Sequence, residues 1–480
     1  MRPALRPALL AALLVLSPLA GCATPPAPPP SDAYDAIEAA IGTPVVADHD
    51  HADAAVHGTH VNLDRVALLT GHEPGPAPAG ESYAETAVKG GYAYLSRYGP
   101  ESGLAIFDVR DIEHPAFVGA LRLNAGFEPD VEVSDDGHWA FWETQRMHVA
   151  KPPIPPTPDL GAELGNGIHV IDVSDKAHPK WVSFVPVAVD GPHSITYANV
   201  GGRDLVLASA YAYQYSHEGR KVPFGQRLDI YQLETGAPVP TLRLLSEFRD
   251  PGGNDLDPTD STGGLFPHDV SVAVHPITHR TLAYIAYWDL GVVILDVSDP
   301  ANPQKVGQAT DFGPASYVNM HMARQLPDLV DGRVVVVGEP EIGDEPNTGY
   351  ISMLDATDPI HPTYISSWKI PGNQSSDGGN LGPHYFDVRD GRVAMASYHA
   401  GFWVFDIHDH GNLLHPRTVA YAQVNATAPG AATAITAGGA DSAFDAWWAD
   451  ATHVLAGDAL RKASEDEAAL HEYRQAADKL

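Results

Sequence analysis

The chain has 480 residues, and its 61 acidic against 29 basic side chains give it a formal net charge of −32 at pH 7. Nucleic acids and anionic membrane surfaces would be repelled by this charge, which argues against both as direct partners. A single cysteine excludes any disulfide within the chain, so the fold must be stabilised by its core, to which 44% hydrophobic residues can contribute.

The first 21 residues have the features of an export signal. Arg2 and Arg6 precede an apolar run, residues 8–16, that is too short to span a bilayer of about 30 Å as a helix. The run leads to a Leu-Ala-Gly-Cys string that resembles the lipobox of bacterial lipoproteins. This resemblance implies cleavage before Cys22 and lipidation of its thiol. We therefore predict an extracytoplasmic protein that Cys22 anchors to the cell membrane or the outer membrane.

Residues 22–55 are predicted to form a tether. Its proline-rich start favours an extended polyproline II spacer, and its end, Asp48 to His51, is rich in histidine. Two more histidines, His57 and His60, follow the tether. These histidines fit either a metal-scavenging tract or, the interpretation that we favour, a solvated linker. His57 and His60 could reach the central channel of the fold predicted below if the strand after them closes its ring.

An apolar strand that ends in aspartate recurs five times along the chain. The strands end at Asp108, Asp172, Asp296, Asp355 and Asp406. A second aspartate follows each of them, and then a proline that begins another strand; a sixth copy near Leu228 keeps the strand and lacks the turn. We interpret the aspartates as structural residues that accept backbone N–H groups in the turns.

The spacing of the copies, about 50 to 65 residues, suits a four-stranded propeller blade with loops. Near-continuous apolar runs before each copy indicate strands that are covered on both faces. The repeat resembles the LVIVD-repeat family of bacterial and archaeal surface proteins, most closely at Gly291 to Pro303, and the resemblance covers roughly residues 80–425. It implies a β-propeller and a surface location, and it implies no reaction.

We therefore predict an all-β chain with a seven-bladed β-propeller over residues 56–456. Six blades are clear from the repeat, and six is the alternative total. A seventh is expected from two strands within residues 444–456, which an N-terminal strand starting at Val61 would complete, leaving no bare sheet edge. Residues 457–480 are predicted to form a short amphipathic helix.

A column of histidines is not explained by the turns. Aligning the blades places His193, His268, His321 and His384 at the start of four consecutive innermost strands. Innermost strands line the channel of a propeller, so these side chains are expected to converge at one mouth of it. Asp130 holds this position in the second blade, and the ends of the second strands bring Glu143, Tyr211, Trp288, Glu339 and His399 to the same mouth.

Five imidazoles held by a rigid ring suit copper, zinc or iron. We predict a metal site of His193, His268, His321, His384 and His399, surrounded by Asp130, Glu339, Tyr211 and Trp288. Selenium-binding proteins and carotenoid oxygenases are similar in that they also bind metal on propellers through histidines, although this chain lacks their other signatures. Two alternatives remain open: a structural column in which each histidine bonds to the neighbouring blade, and a site for an anion or an organic ligand.

Two functions follow from these patterns. The first, which we favour, is a monomeric binding or adhesion module that engages a surface ligand or a small molecule. The second is a metal-dependent enzyme, most plausibly an oxidoreductase, that uses the channel histidines. The sequence contains no serine-hydrolase elbow, phosphate-binding loop or dinucleotide fingerprint that would indicate another chemistry.

Overall fold

The computed structural model describes residues 60–61, 82–98, 103–111, 114–123, 130–145, 166–187, 191–210, 227–251, 266–314, 319–340, 350–370, 383–397, 401–422, 439–448 and 454–462. Over these residues the fold is all-β, with one short helix, His410–Leu414. No helix in this part of the chain is long and apolar enough to cross a membrane.

Six antiparallel sheets follow one another along the chain, and in each of them four consecutive strands pair with their neighbours in sequence. The sixth sheet has a fifth strand, His60–Val61, at its outer edge. Blade one contains Ser82–Lys89, Tyr92–Tyr98, Gly103–Asp108 and Ala116–Arg122. Blade two contains Val131–Val133, Trp139–Thr144, Gly167–Asp172 and Lys180–Pro186. Blade three contains Pro192–Val200, Arg203–Ala210, Arg227–Glu234 and Thr241–Phe248.

The other three blades repeat the same order. Blade four contains Asp269–Val274, Thr281–Ala286, Val292–Asp296 and Gln304–Ala309. Blade five contains Met320–Gln325, Val335–Pro340, Tyr350–Asp355 and Thr363–Lys369. Blade six contains Phe386–Arg389, Arg392–Ser397, Gly401–Asp406 and Arg417–Ala422. The arrangement is a β-propeller with six blades, the alternative total of the sequence analysis.

The core consists of apolar layers between successive blades. In blade four, Val292 and Ile294 pack toward blade five, whereas Val293 and Leu295 pack toward blade three. Successive side chains of a strand point to opposite faces, so a strand between two blades needs apolar residues at every position. This geometry explains the near-continuous apolar runs of the sequence.

The prediction of seven blades is wrong: the described residues form six blades, of which the sixth has an added N-terminal strand, and one two-stranded sheet. The two strands, Gly439–Trp448 and Val454–Lys462, lie between blade six and blade one and contact the inner strands of both. The expected N-terminal strand does not complete them, because His60–Val61 pairs instead with the outer strand of blade six. Residues 457–462 continue a strand where a helix was expected, and residues 463–480 lie outside the described residues.

The five repeat aspartates hold the turns between the third and fourth strands. In each case a side-chain oxygen accepts the backbone N–H two residues further on, at 2.9–3.1 Å in all five turns. The second aspartates of three turns also accept the N–H two residues further on, at 3.0–3.3 Å, whereas Asp409 accepts the N–H of Asn412 at 2.9 Å as the N-cap of the short helix. These are the hydrogen bonds of Asx-type turns.

The two ends of the propeller differ. Because the strands of a blade are consecutive and antiparallel, every turn with a repeat aspartate lies at one end, which we call the turn end. The first and third strands of each blade begin at the other end, which we call the histidine end because His193, His268, His321 and His384 lie there.

Candidate functional site

The innermost strands of all six blades surround a central cavity of about 500 Å³. Its lining includes polar side chains from every blade: Glu85, Lys89, Asp130, Glu132, Asp135, Tyr197, Asp269, Arg324, Tyr385 and Asp387. The cavity therefore has the position that the sequence predicts for the channel.

The structure brings four of the five predicted histidines together at the histidine end. The ring centroids of His193 and His268 are 4.4 Å apart, those of His268 and His321 are 4.1 Å apart, and those of His321 and His384 are 4.4 Å apart. No more than 4% of the surface of His268, His321 or His384 is exposed. The fifth histidine, His399, lies outside the described residues, as does Tyr211.

The histidine pair at the start of this row has an unusual arrangement of nitrogen atoms. Nε2 of His193 and Nε2 of His268 are 2.8 Å apart. Nδ1 of His268 lies 3.2 Å from the carbonyl oxygen of His321, so this nitrogen carries the proton of a neutral ring and its Nε2 has a lone pair. Nδ1 of His193 lies 2.8 Å from Oε1 of Gln145.

Burial keeps these imidazoles neutral. It lowers the pKa of His193 to about 3. It also lowers the pKa of His268 and that of His321 well below the ordinary value, an effect that the neighbouring histidines increase. Neutral imidazole is the form that binds metal ions.

Two arrangements satisfy the nitrogens of His193 and His268. If His193 donates its Nδ1–H to Gln145, two lone pairs face each other and a cation must lie between them. If the amide of Gln145 has the opposite orientation, it donates to Nδ1 and the Nε2–H of His193 donates to His268, with no cation needed. Amide orientation is assigned from the hydrogen-bond network, and Nε2 of Gln145 has no hydrogen-bond partner among the described residues.

His321 lies against a buried carboxylate. Its Nδ1 is 3.3 Å from Oε1 of Glu339, whose other oxygen accepts the backbone N–H of Tyr385 at 3.1 Å. Because burial depresses the pKa of His321, we interpret this contact as a neutral imidazole beside a carboxylate that orients it, and not as an ion pair. Glu339 thus connects blade five to blade six beneath the histidine row.

Asp130 and Trp288, which the sequence analysis placed around the predicted metal site, make contacts of two different kinds. The carboxylate of Asp130 accepts the backbone N–H of Val131 at 2.6 Å and that of Ile195 at 2.8 Å, so it joins blade two to blade three. The indole of Trp288 stacks on the ring of His268, with centroids 5.1 Å apart, and Phe266 stacks on the indole. These two aromatic side chains form a wall beside the histidine row.

Three residues of the site were missed by the sequence analysis. Gln145 contacts His193, Tyr385 lies against His321 and His384, and Asp269 accepts a hydrogen bond from the Ser194 hydroxyl at 2.8 Å. Burial raises the pKa of Asp269 to about 6. Asp269 and Tyr385 directly follow His268 and His384 in the sequence, and this position could have identified them. Gln145 directly follows the strand Trp139–Thr144, and nothing comparable in the sequence points to it.

The described residues contain no group of three or more histidine, cysteine, aspartate or glutamate side chains that could hold a metal ion. The structure shows a row of four imidazoles, in which Nε2 of His193 and Nε2 of His268 are in direct contact. The metal site therefore stays a prediction.

The fold and the recurring turn define this protein as a β-propeller built from short repeated blades. The family model for the LVIVD repeat matches residues 162–185, in blade two, and 282–311, in blade four. Two stretches of the chain therefore match the LVIVD repeat within a β-propeller fold, and the resemblance stated in the sequence analysis is confirmed. No curated protein matches the chain.

The solved structures that the chain resembles share little sequence with it. A protein of Lactobacillus plantarum has 12% identity and a TM-score of 0.48, over 71% of this chain and 84% of its own. A periplasmic gluconolactonase of Pseudomonas aeruginosa has 11% identity and a TM-score of 0.45, over 79% and 95%. Sqt1 of Saccharomyces cerevisiae has 9% identity and a TM-score of 0.45, over 79% and 80%. At this distance the similarities support no inference about activity.

Proposed function

We propose that this chain is a membrane-anchored extracytoplasmic binding protein whose histidine row takes up a transition-metal ion, copper, zinc or iron. The observation that carries the proposal is the 2.8 Å separation of Nε2 of His193 and Nε2 of His268. Two nitrogens bound at 2.0–2.1 Å to one metal are about 2.9 Å apart at a right angle and about 3.3 Å apart in a tetrahedral site. The two nitrogens are therefore close enough to share an ion after a small outward movement of either ring.

One further feature supports this function. The carboxylate of Glu339 lies beside Nδ1 of His321, in the position from which a second group orients a metal-binding imidazole.

The metal content of the purified protein tests the proposal. The full-length chain, produced without an affinity tag and supplied with copper, zinc and iron salts, is expected to retain about one metal ion per chain by elemental analysis. The double variant His268→Ala/His384→Ala should lose it, because it removes two members of the row. The matched control, His178→Ala/His361→Ala, removes two exposed histidines of the turn end and should keep the metal.

A wild-type protein that binds none of the three metals would refute the proposal, as would equal metal loss in the two double variants. A metal-dependent oxidoreductase remains a second hypothesis for the same residues, and it requires this binding step as well. No contact among the described residues favours a particular reaction, so metal binding is the function proposed.

A further inference from the structure

At the turn end, the connections between first and second strands differ from blade to blade. They lie at this end because the first strand of each blade begins at the histidine end. Two residues join these strands in blades one, three and six, whereas residues 275–280 join them in blade four and residues 326–334 join them in blade five. The two long connections break the repetition of the propeller, and insertions of this kind in a repeat commonly carry a binding function.

Both long connections have a fixed backbone. Nδ1 of His275 accepts the backbone N–H of Ile277 at 3.3 Å and that of the next residue at 3.1 Å. The proton of this ring is therefore on Nε2, which donates to the carbonyl oxygen of Ala356 in blade five at 3.0 Å. In the connection of blade five, Val330 and Arg333 exchange two backbone hydrogen bonds, at 3.0 and 2.9 Å. The side chains between these contacts are thus presented from a rigid support.

Apolar side chains are exposed on this part of the turn end. Among the described residues seven large apolar side chains are exposed, and five of them, which we call the apolar turn face, belong to the turns of blades four, five and six: Val274, Ile277, Leu329, Ile360 and Leu414. The described turns of blades one and two carry no such side chain. Single exposed apolar residues are ordinary, whereas a group of them on one side of a molecule marks an interaction surface.

The segments that carry the apolar turn face contact one another. The hydrogen bond from His275 to Ala356 joins the connection of blade four to the turn of blade five that contains Ile360. Nδ1 of His410, on the helix that ends at Leu414, lies 2.7 Å from a carboxylate oxygen of Asp331, in the connection of blade five. The five apolar side chains therefore belong to one continuous part of the surface.

The surroundings of the apolar turn face are acidic. Four exposed aspartates of the same blades pair with no lysine or arginine of the described residues: Asp299, Asp328, Asp358 and Asp409. Arg280 and Arg333 are engaged by the repeat aspartates Asp296 and Asp355, at 3.5 and 3.2 Å. A second copy of this chain would bring the same negative charge and be repelled, whereas a basic partner would be attracted.

We propose that the apolar turn face binds a basic amphipathic segment of another protein. The apolar side chains of the segment would cover Ile277, Leu329 and their neighbours, and its lysines and arginines would face the surrounding aspartates. An amphipathic helix commonly binds a protein surface in this way, with apolar anchors on one side. The surface is at the opposite end of the propeller from the histidine row, so this interaction does not depend on the proposed metal.

A synthetic peptide of about 18 residues, with leucine on one helical face and lysine on the other, tests the proposal. Its binding is measured by fluorescence anisotropy to the full-length chain with Cys22→Ser, which cannot be lipidated and needs no detergent. We expect saturable binding that weakens as salt is added. Leu329→Ser and Ile277→Ser, introduced singly, should each lower the affinity about 5- to 20-fold, because each removes an apolar contact.

Leu244→Ser is the matched control. Leu244 is 42% exposed and Leu329 is 46% exposed, but Leu244 lies on the outer strand of blade three, so its replacement should leave the affinity unchanged. Absence of peptide binding, or equal affinities for Leu329→Ser, Ile277→Ser and Leu244→Ser, would overturn the proposal. Equal binding of a peptide with glutamate in place of lysine would overturn the basic character of the partner.

Sedimentation analysis of the same protein separates a foreign partner from a second copy. We expect a monomer. A dimer that Leu329→Ser converts into monomers, and that Leu244→Ser leaves intact, would show that another copy of this chain covers the apolar turn face, and would overturn the proposed partner. Metal content is expected to be the same in all of these variants, so the outcome for this surface is distinguishable from that for the histidine row.

Discussion

At the scale of single residues, the candidate site depends on which nitrogen of His193 carries a proton. The carbonyl oxygen of His321 fixes the proton of His268 on Nδ1, since a carbonyl can only accept. Gln145 can either accept or donate, so the side chain at position 145 decides whether Nε2 of His193 presents a lone pair to His268. The group that position 145 presents to Nδ1 of His193 therefore decides between two arrangements: a pair of lone pairs that can bind a metal ion, and a hydrogen bond between the two imidazoles.

Replacing Gln145 should change metal affinity in opposite directions. Gln145→Leu removes the group that orients His193, and we expect it to weaken metal binding about 10- to 100-fold. Gln145→Glu places an acceptor against Nδ1, holds the lone pair on Nε2, and should preserve or strengthen binding. Titration calorimetry with Zn²⁺ measures both affinities. Equal affinities for wild type, Gln145→Leu and Gln145→Glu would contradict this account.

At the scale of the strand, every blade carries a β-bulge at the same place between its third and fourth strands. The extra residue of the bulge lies on the fourth strand and is apolar, and a small residue follows it. In blade four these two residues are Val306 and Gly307. That small residue meets the turn of the next blade: Ser183 donates to the Pro240 carbonyl at 2.7 Å, and Ser246 donates to the Pro300 carbonyl at 2.7 Å.

Where the small residue is glycine, the two backbones come too close for a side chain. A Cβ at Gly307 would clash with the carbonyl oxygen of Pro359 in blade five. Gly307→Ala is therefore expected to lower the free energy of unfolding by about 1–3 kcal/mol, the usual cost of overpacking. Gly236→Ala is the control, because a Cβ there meets no atom within 4 Å. Urea denaturation that showed equal stability for the two variants would contradict the close contact.

The third strand of blade two contains a buried histidine outside the candidate site. His169 accepts the indole N–H of Trp181 on Nδ1 at 3.1 Å, and its Nε2 lies 3.0 Å from the Thr144 hydroxyl. Burial lowers the pKa of His169 to about 3. Because Nδ1 must accept from Trp181, the neutral ring is the form that fits this position.

The low pKa of His169 predicts how stability depends on pH. The unfolded chain binds a proton at this residue near pH 6.5 and the folded chain does not, so the stabilising contribution is complete above pH 6.5 and is lost as the pH falls below it. One such group changes the free energy of unfolding by about 1.4 kcal/mol per pH unit. His169→Gln should show a shallower decrease between pH 6.5 and 5 in urea denaturation.

His178→Gln, which removes an exposed histidine of the same blade, is the matched control for this measurement. A decrease in His169→Gln as steep as that of the wild type would show that His169 does not contribute to the pH dependence.

At the scale of the whole molecule, the N-terminal strand His60–Val61 adds to the outer edge of blade six, where His60 pairs with Ala422. His60 therefore lies on the strand furthest from the cavity, and the expectation that it could reach the channel is not met.

The proposed anchor can be tested on the full-length chain in a bacterial host that processes lipoproteins. Wild type is expected in the membrane fraction, whereas Cys22→Ser lacks the thiol that receives diacylglycerol and should appear in the soluble fraction. Mass spectrometry of the wild-type N-terminus would identify the lipid on Cys22. Equal membrane association of the two proteins would contradict lipidation as the anchor.

The sequence by itself determined the blade architecture and the convergence of four histidines. Both depend on local patterns: apolar runs that need cover on two faces, aspartates that hold a turn, and a fixed position of histidine relative to each inner strand. Repetition converts such local patterns into global geometry, because equivalent positions of successive blades are neighbours in a ring. Six blades are clear from the repeat for the same reason. The expected seventh blade had no copy of the repeat, and the structure does not contain it.

Only the tertiary structure decided the closure of the ring and the contacts of the site. Strand pairing is long-range, and nothing in the local sequence around Val61 distinguishes the outer edge of blade six from that of the two-stranded sheet. Likewise, His193 of blade three contacts Gln145 of blade two, and no other blade repeats this pair of residue types at the same positions. Hydrogen bonds of this kind depend on side-chain orientation, which a residue pattern leaves open.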